Sequence, residues 1–210
     1  MTLLAIMAPL QALGVVSSFS TVRDARRFLA GEIDEDAFLE ASALDGSLIA
    51  QLLVIPVAIL TMIWMYRMAV NLRSLGRQEP TWSPGWAIGG WFVPPCAIYV
   101  IPWLMFTELW RGSDPAVAPY DPSWRRRPVS PIVHVWWILY GLVPLVGIIT
   151  TASSLTRIGD FGDARAAAES LDQNFRITVV LSIISVVTTV VYLQLVRQLS
   201  ARHMRCTGEV

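Results

Sequence analysis

Four long stretches of this chain contain no Asp, Glu, Lys or Arg: residues 2–20, 47–66, 131–156 and 177–196. A helix needs about 20 apolar residues to cross a hydrocarbon core of about 30 Å, so each stretch is long enough to span a bilayer. Charged residues make up only 15% of the 210-residue chain and mean hydropathy is +0.53, whereas soluble domains carry about 25% charged residues. The expected class is an all-α integral membrane protein forming one polytopic domain over residues 1–210. Residues 2–20 read as a retained span, because no basic residue precedes Arg23 as a cleaved signal peptide would require.

A fifth apolar segment, 86–107, is interrupted by Gly89, Gly90, Pro94, Pro95 and Pro102. Proline inside a helix removes a hydrogen bond and crowds the preceding turn. Irregular backbone at membrane depth persists only where protein or water covers it. The segment is therefore expected to be broken: a re-entrant hairpin, a pair of half-helices or a kinked span.

Arginine placement orients the chain. All sixteen basic residues are arginine and net charge is zero, which leaves no electrostatic footprint for nucleic acid. If 86–107 enters and leaves on one side, Arg67, Arg73, Arg77, Arg111, Arg125, Arg126, Arg127, Arg197, Arg202 and Arg205 share a face with both termini. That face is cytoplasmic by the positive-inside rule. The acidic loops between the spans, 21–46 and 157–176, then lie opposite. The layout is four transmembrane helices in two hairpins plus the broken segment; the alternative is five spans. Both acidic loops contain Asp-Ala-Arg, at 24–26 and 163–165, which suggests a two-fold repeat.

Within the first loop, Asp34 fits a helix N-cap, with Ile33 and Phe38 placed as a hydrophobic staple. Residues 163–171 read as a second short helix. The carboxylates Glu32, Asp34, Glu35, Asp36 and Glu40 match no calcium-loop spacing and read as a solvated face. His134 lacks a second histidine within the spans for a haem, and Trp136 and Trp137 suit an aromatic belt. Thr61, Thr188 and Gln51 are isolated polar residues in the spans, a pattern of helix–helix contact. Cys96 and Cys206 form no disulfide or metal pattern. With no nucleophile, phosphate-loop or metal motif, no catalytic, cofactor or metal residue is assigned, and an enzyme is not expected.

Polar and aromatic residues gather at the ends of the second span and the broken segment. They are Tyr66, Arg67, Asn71, Arg73, Trp91, Pro94, Glu108, Trp110 and Arg111. Arg67 and Asn71 are one helical turn apart, and Glu108 is placed to pair with Arg67 or Arg73 if the segments fold together. The group is a structural or ligand-binding cluster.

Three stretches, WMYRMAVNLRSLG (64–76), SPGWAIGGWFVPPCAIYVIP (83–102) and ELWRGSDP (108–115), precede the tryptophan pair 136–137. Over roughly residues 45–200 the chain resembles a bacterial, largely actinobacterial, membrane family known as domain of unknown function 4328. The resemblance implies a multi-pass protein of the bacterial plasma membrane and no particular activity. Two features depart from the family's pattern. Similar members often begin with a Pro/Gly-rich cytoplasmic tail, whereas this sequence opens on its first expected span. After Pro94 it continues with apolar Pro95-Cys96-Ala97-Ile98, which favours deeper membrane insertion over ligand contact.

These readings favour a scaffold or partner-binding membrane component, with the lipid bilayer and a membrane or cytoplasmic protein as partners and no cofactor. The alternative is a small-solute or lipid transporter or channel component that uses 86–107 as its passage.

Overall fold

Helix is the regular structure throughout the described residues, which in this computed structural model are 2–43, 47–93, 96–141 and 163–208. In chain order the elements are α1 (Thr2–Leu29), α2 (Glu35–Ala43), α3 (Ser47–Ser74), α4 (Trp86–Gly89), α5 (Cys96–Gly112), a 3-10 turn (Pro122–Arg126), α6 (131–141) and α7 (Ala164–Thr207). No strand occurs among the described residues. The chain forms two compact units. One comprises Ile55–Ile138 and Val191–Val210, the other Thr2–Val54 and Leu139–Val190.

In the second unit the local signals act as expected. The Asp34 carboxylate accepts the Ala37 amide at 2.9 Å and so caps α2. Phe38, 2% exposed, stacks on Phe28 with ring centroids 5.0 Å apart. Ala25, Phe38, Ala164 and Ala168 form one buried cluster, with Ile33 and Leu171 packed against it. Ala25 and Ala164 are the central residues of the two Asp-Ala-Arg strings, so the two copies meet in a single core. Arg26 adds an ion pair to Asp172 at 2.6 Å and lies over the ring of Phe175.

The short helix expected at 163–171 is instead the first two turns of α7, a single helix of 44 residues and about 66 Å. Neither proline nor glycine occurs between 164 and 207, so nothing stops the helix after 171. Gly208, with φ +72°, follows its end.

The first unit brings aromatic rings together. Phe106 is fully buried, 4.7 Å from the ring of Trp136 and 6.3 Å from Tyr192. The Tyr192 hydroxyl is 2.7 Å from Thr61 Oγ. Trp137 stacks on Trp103 at 4.6 Å and donates to the Tyr99 carbonyl. His134 Nδ1 accepts from Trp103 Nε1 at 3.2 Å. Trp136 is 3% exposed and packs inward, and Trp137 is held by a backbone carbonyl.

Within segment 86–107 the described backbone leaves the helix at Gly90, while Pro102 lies inside α5. Four residues of α4 are followed by a turn at 90–93, and α5 begins at Cys96. Pro94 and Pro95 lie outside the described residues, as does 142–162, which takes in most of the third uncharged stretch.

Two helical stretches, Ile55–Ser74 of α3 and Val179–Thr207 of α7, are long and apolar enough to cross a membrane. Only 28% and 17% of their apolar windows are buried, whereas the core helix of a soluble protein is mostly covered. Ile55, Ile59, Ile63 and Val70 on α3, and Val180, Ile183, Val187 and Val190 on α7, are exposed at helical spacing. Such stripes face lipid. The protein is largely helical, with at least two membrane-length apolar helices.

Candidate functional site

The polar groups of the first unit concentrate where α3 and α5 end. Gly76 follows α3 with φ +73°, and the amides of Gly76 and Arg77 return to the carbonyls of Arg73 and Leu72. This is a Schellman ending, which needs a left-handed residue at its C′ position. It turns the chain so that Arg77 points inward. A Cβ at Gly76 would also lie 3.1 Å from the Tyr120 nitrogen and 3.2 Å from Pro119 Cβ.

Arg77 is 4% exposed. Its Nε donates to the Gly112 carbonyl at 2.8 Å, Nη1 to Ala118 at 2.8 Å, and Nη2 to Asp114 and Val117 at 3.0 Å each. Four carbonyls at and beyond the C-terminus of α5 thus surround one buried cation. That is the negative end of the helix dipole, and it offsets the desolvation of the guanidinium. Gly112 permits the approach: a Cβ there would lie 2.6 Å from Leu72 Cδ2.

Asp114, 6% exposed, is the centre of a second group. Its Oδ1 accepts the Ala116 amide at 3.0 Å. Its Oδ2 receives Arg127 Nε at 2.7 Å and Arg202 Nη2 at 2.9 Å. Burial pushes the Asp114 carboxyl up, but the Arg127 hydrogen bond, the Ala116 amide and the two arginine charges outweigh it and hold the group below its usual value. The Arg202 guanidinium lies 5.3 Å from the ring centre of Trp110. Arg111 Nε donates to the Arg127 carbonyl at 3.2 Å. Beside them Ser113 Oγ and His203 Nδ1 are 2.9 Å apart. Ser113 is fully buried, and this pair joins the end of α5 to α7.

The loops on either side are tied as well. Glu108 accepts the amides of Thr81 at 2.8 Å and Trp82 at 3.2 Å. Arg125 donates to the carbonyls of Gln78 and Glu79, and Asp121 caps the 3-10 turn through the Ser123 amide. A pocket of about 530 Å³ opens beside Asp114, between Trp110, Arg127, Pro131 and Arg202. Among the described residues, no group of three or more His, Cys, Asp or Glu converges as metal ligands would.

The cluster expected from sequence divides. Trp110 is buried and Arg111 half-buried in the Asp114 group. Tyr66, Arg67, Asn71 and Arg73 lie on exposed α3 surface, and Trp91 is half-buried. Pro94 lies outside the described residues. The partners of Glu108 are backbone amides, not Arg67 or Arg73. Ser113 and Asp114 stand in the ELWRGSDP stretch already noted, but Arg77, Arg127, Arg202 and His203 were not singled out. Glycine directly before Arg77 was the local signal for the first. The others come from the basic run 125–127 and the α7 tail, and no sequence rule brings those together.

Among known proteins, the model of a family described as domain of unknown function (DUF4328) matches residues 35–201. No curated protein and no solved structure matches.

Proposed function

Since the chain belongs to the DUF4328 family, whose description names no activity, we propose that it is a multi-pass bacterial plasma-membrane scaffold that holds a partner on its arginine-rich loop face. One observation carries this reading. Arg77 commits four of its five N–H donors to backbone carbonyls, so the most buried cation of the site holds loops in place. The loops it fixes present Tyr120, 70% exposed, and the exposed Arg125 and Arg126. An anionic protein surface would complement them.

In this reading residues 1–210 form one polytopic domain. Four spans make two hairpins, 86–107 returns to the side it entered, and both termini are cytoplasmic. Cysteine-accessibility labelling at Ala30, Gly90, Ala118 and Ala166 in a cysteine-free background tests the layout. Labelling of Ala30 and Ala118 from the same side would overturn it. The scaffold role is tested by photo-crosslinking from position 120 in native membranes. A discrete heavier species, lost when Arg125 and Arg126 are changed to Gln, is the expected result. A chromophore or a retained organic substrate in protein purified with mild detergent would contradict it, as would solute flux through proteoliposomes.

A further inference from the structure

The pocket beside Asp114 has a composition that the ion pairs alone do not account for. Two guanidinium groups, of Arg127 and Arg202, meet one carboxylate oxygen of Asp114, so its charged wall carries one formal positive charge in excess. Arg202 Nε is buried and has no hydrogen-bond partner. A buried donor on a cation is costly when unmatched, and here it belongs to a residue that lines an open pocket of about 530 Å³. Val129, Pro131 and the Trp110 ring add apolar surface to its lining. Excess positive charge from two guanidinium groups and an aromatic face suit a phosphate ester.

The pocket also continues into an apolar track. Pro131 lines it and is the first residue of α6. Residues 131, 135 and 138 fall on one face of that helix. Val135 and Ile138 are exposed, at 44% and 56%. A ligand with its phosphate at Arg127 and Arg202 would therefore lay its apolar part along Val135 and Ile138. A phospholipid has that form, and free phosphate does not.

We propose that the Trp110–Asp114–Arg127–Arg202 pocket binds the headgroup phosphate of an anionic membrane phospholipid, whose acyl chains lie on the Val135–Ile138 face of α6. The proposal rests on α6 lying in the bilayer and not on the scaffold reading, so either can fail without the other.

The test titrates detergent-solubilised full-length protein with short-chain phosphatidylglycerol, short-chain phosphatidylcholine and inorganic phosphate. Binding is read from tryptophan fluorescence and from native mass. Phosphatidylglycerol should bind saturably, and each of the other two about tenfold more weakly or worse. Arg202→Gln should weaken phosphatidylglycerol by about tenfold or more. Val129→Trp, which fills the pocket and removes no charge, should do the same, and it keeps the test decisive if the Arg202 variant misfolds. Arg126→Gln, on the neighbouring exposed surface, should leave binding unchanged. Equal binding of inorganic phosphate would make this a soluble-anion site and overturn the lipid assignment. Equal binding of phosphatidylcholine would remove the charge recognition. An Arg126→Gln loss as large as that of Arg202→Gln, or undiminished binding by Val129→Trp, would show diffuse attraction in place of a pocket.

Discussion

Arg77 Nε donates to the carbonyl of Gly112 at 2.8 Å, joining the residue just beyond α3 to the last residue of α5. The bond exists because two glycines allow it. Gly76 turns Arg77 inward, and Gly112 leaves room for Leu72 beside the helix end. Arg77→Ala would leave the carbonyls of Gly112, Asp114, Val117 and Ala118 without their shared donor. The expected loss of stability is on the order of 3 kcal/mol, measured by denaturant titration in mixed micelles. Arg77→Lys should recover only part of it, because an ammonium cannot reproduce the fork of donors.

Gly76 and Gly31 provide a controlled comparison. Both have φ near +73°, at +73° and +74°. A Cβ at Gly31 meets nothing within 4 Å, while one at Gly76 presses on Tyr120 and Pro119. Gly31→Ala should cost only the left-handed backbone strain, about 1 kcal/mol. Gly76→Ala should cost clearly more, and it alone should perturb the Arg77 site. Equal melting shifts for the two variants would remove the steric argument.

How far these features could be read from sequence follows from their range. The Asp34 cap and the Phe38 staple lie within five residues of each other, so the sequence carries the whole interaction. The break at 86–107 is equally local. The Asp114 site spans Arg77 to His203, and its members meet only because α3, α5 and α7 end together. Glu108 shows the limit most clearly. An arginine is the natural complement of its charge, yet two loop amides nearby take both carboxylate oxygens. Backbone donors do not appear in a residue-type pattern. The length of α7, by contrast, was available in the sequence through the absence of glycine and proline from 164 to 207, and the pause read after 171 had no stop signal behind it.

Asp114 sets a pH dependence with a definite sign. Its carboxyl is held below the usual 3.8 in the folded chain. Its ionised form therefore stabilises the fold above the ordinary carboxylate range. That contribution is lost as pH falls through the lower folded value. Stability measured against pH should decline on the acid side, and Asp114→Asn should be less stable at neutral pH with a flatter acid limb. An unchanged acid limb in the variant would assign the decline to other carboxylates.

The contact of Thr61 with Tyr192 ties α3 to α7 within the apolar part of the first unit. Thr61 Oγ lies 2.8 Å from the Val57 carbonyl, which can only accept, so the threonine proton is spent there. Tyr192 must then be the donor across the 2.7 Å to Thr61 Oγ. Tyr192→Phe removes that donor and keeps the ring packed against Trp136 and Phe106. Thr61→Val removes the acceptor with little change of volume. In a double-mutant cycle the two should couple by about 0.6 kcal/mol, the usual size of a hydrogen bond between helices in a membrane protein, because the unfolded chain in lipid also finds partners. A coupling near zero would mean that ring packing alone holds α3 to α7 at this level.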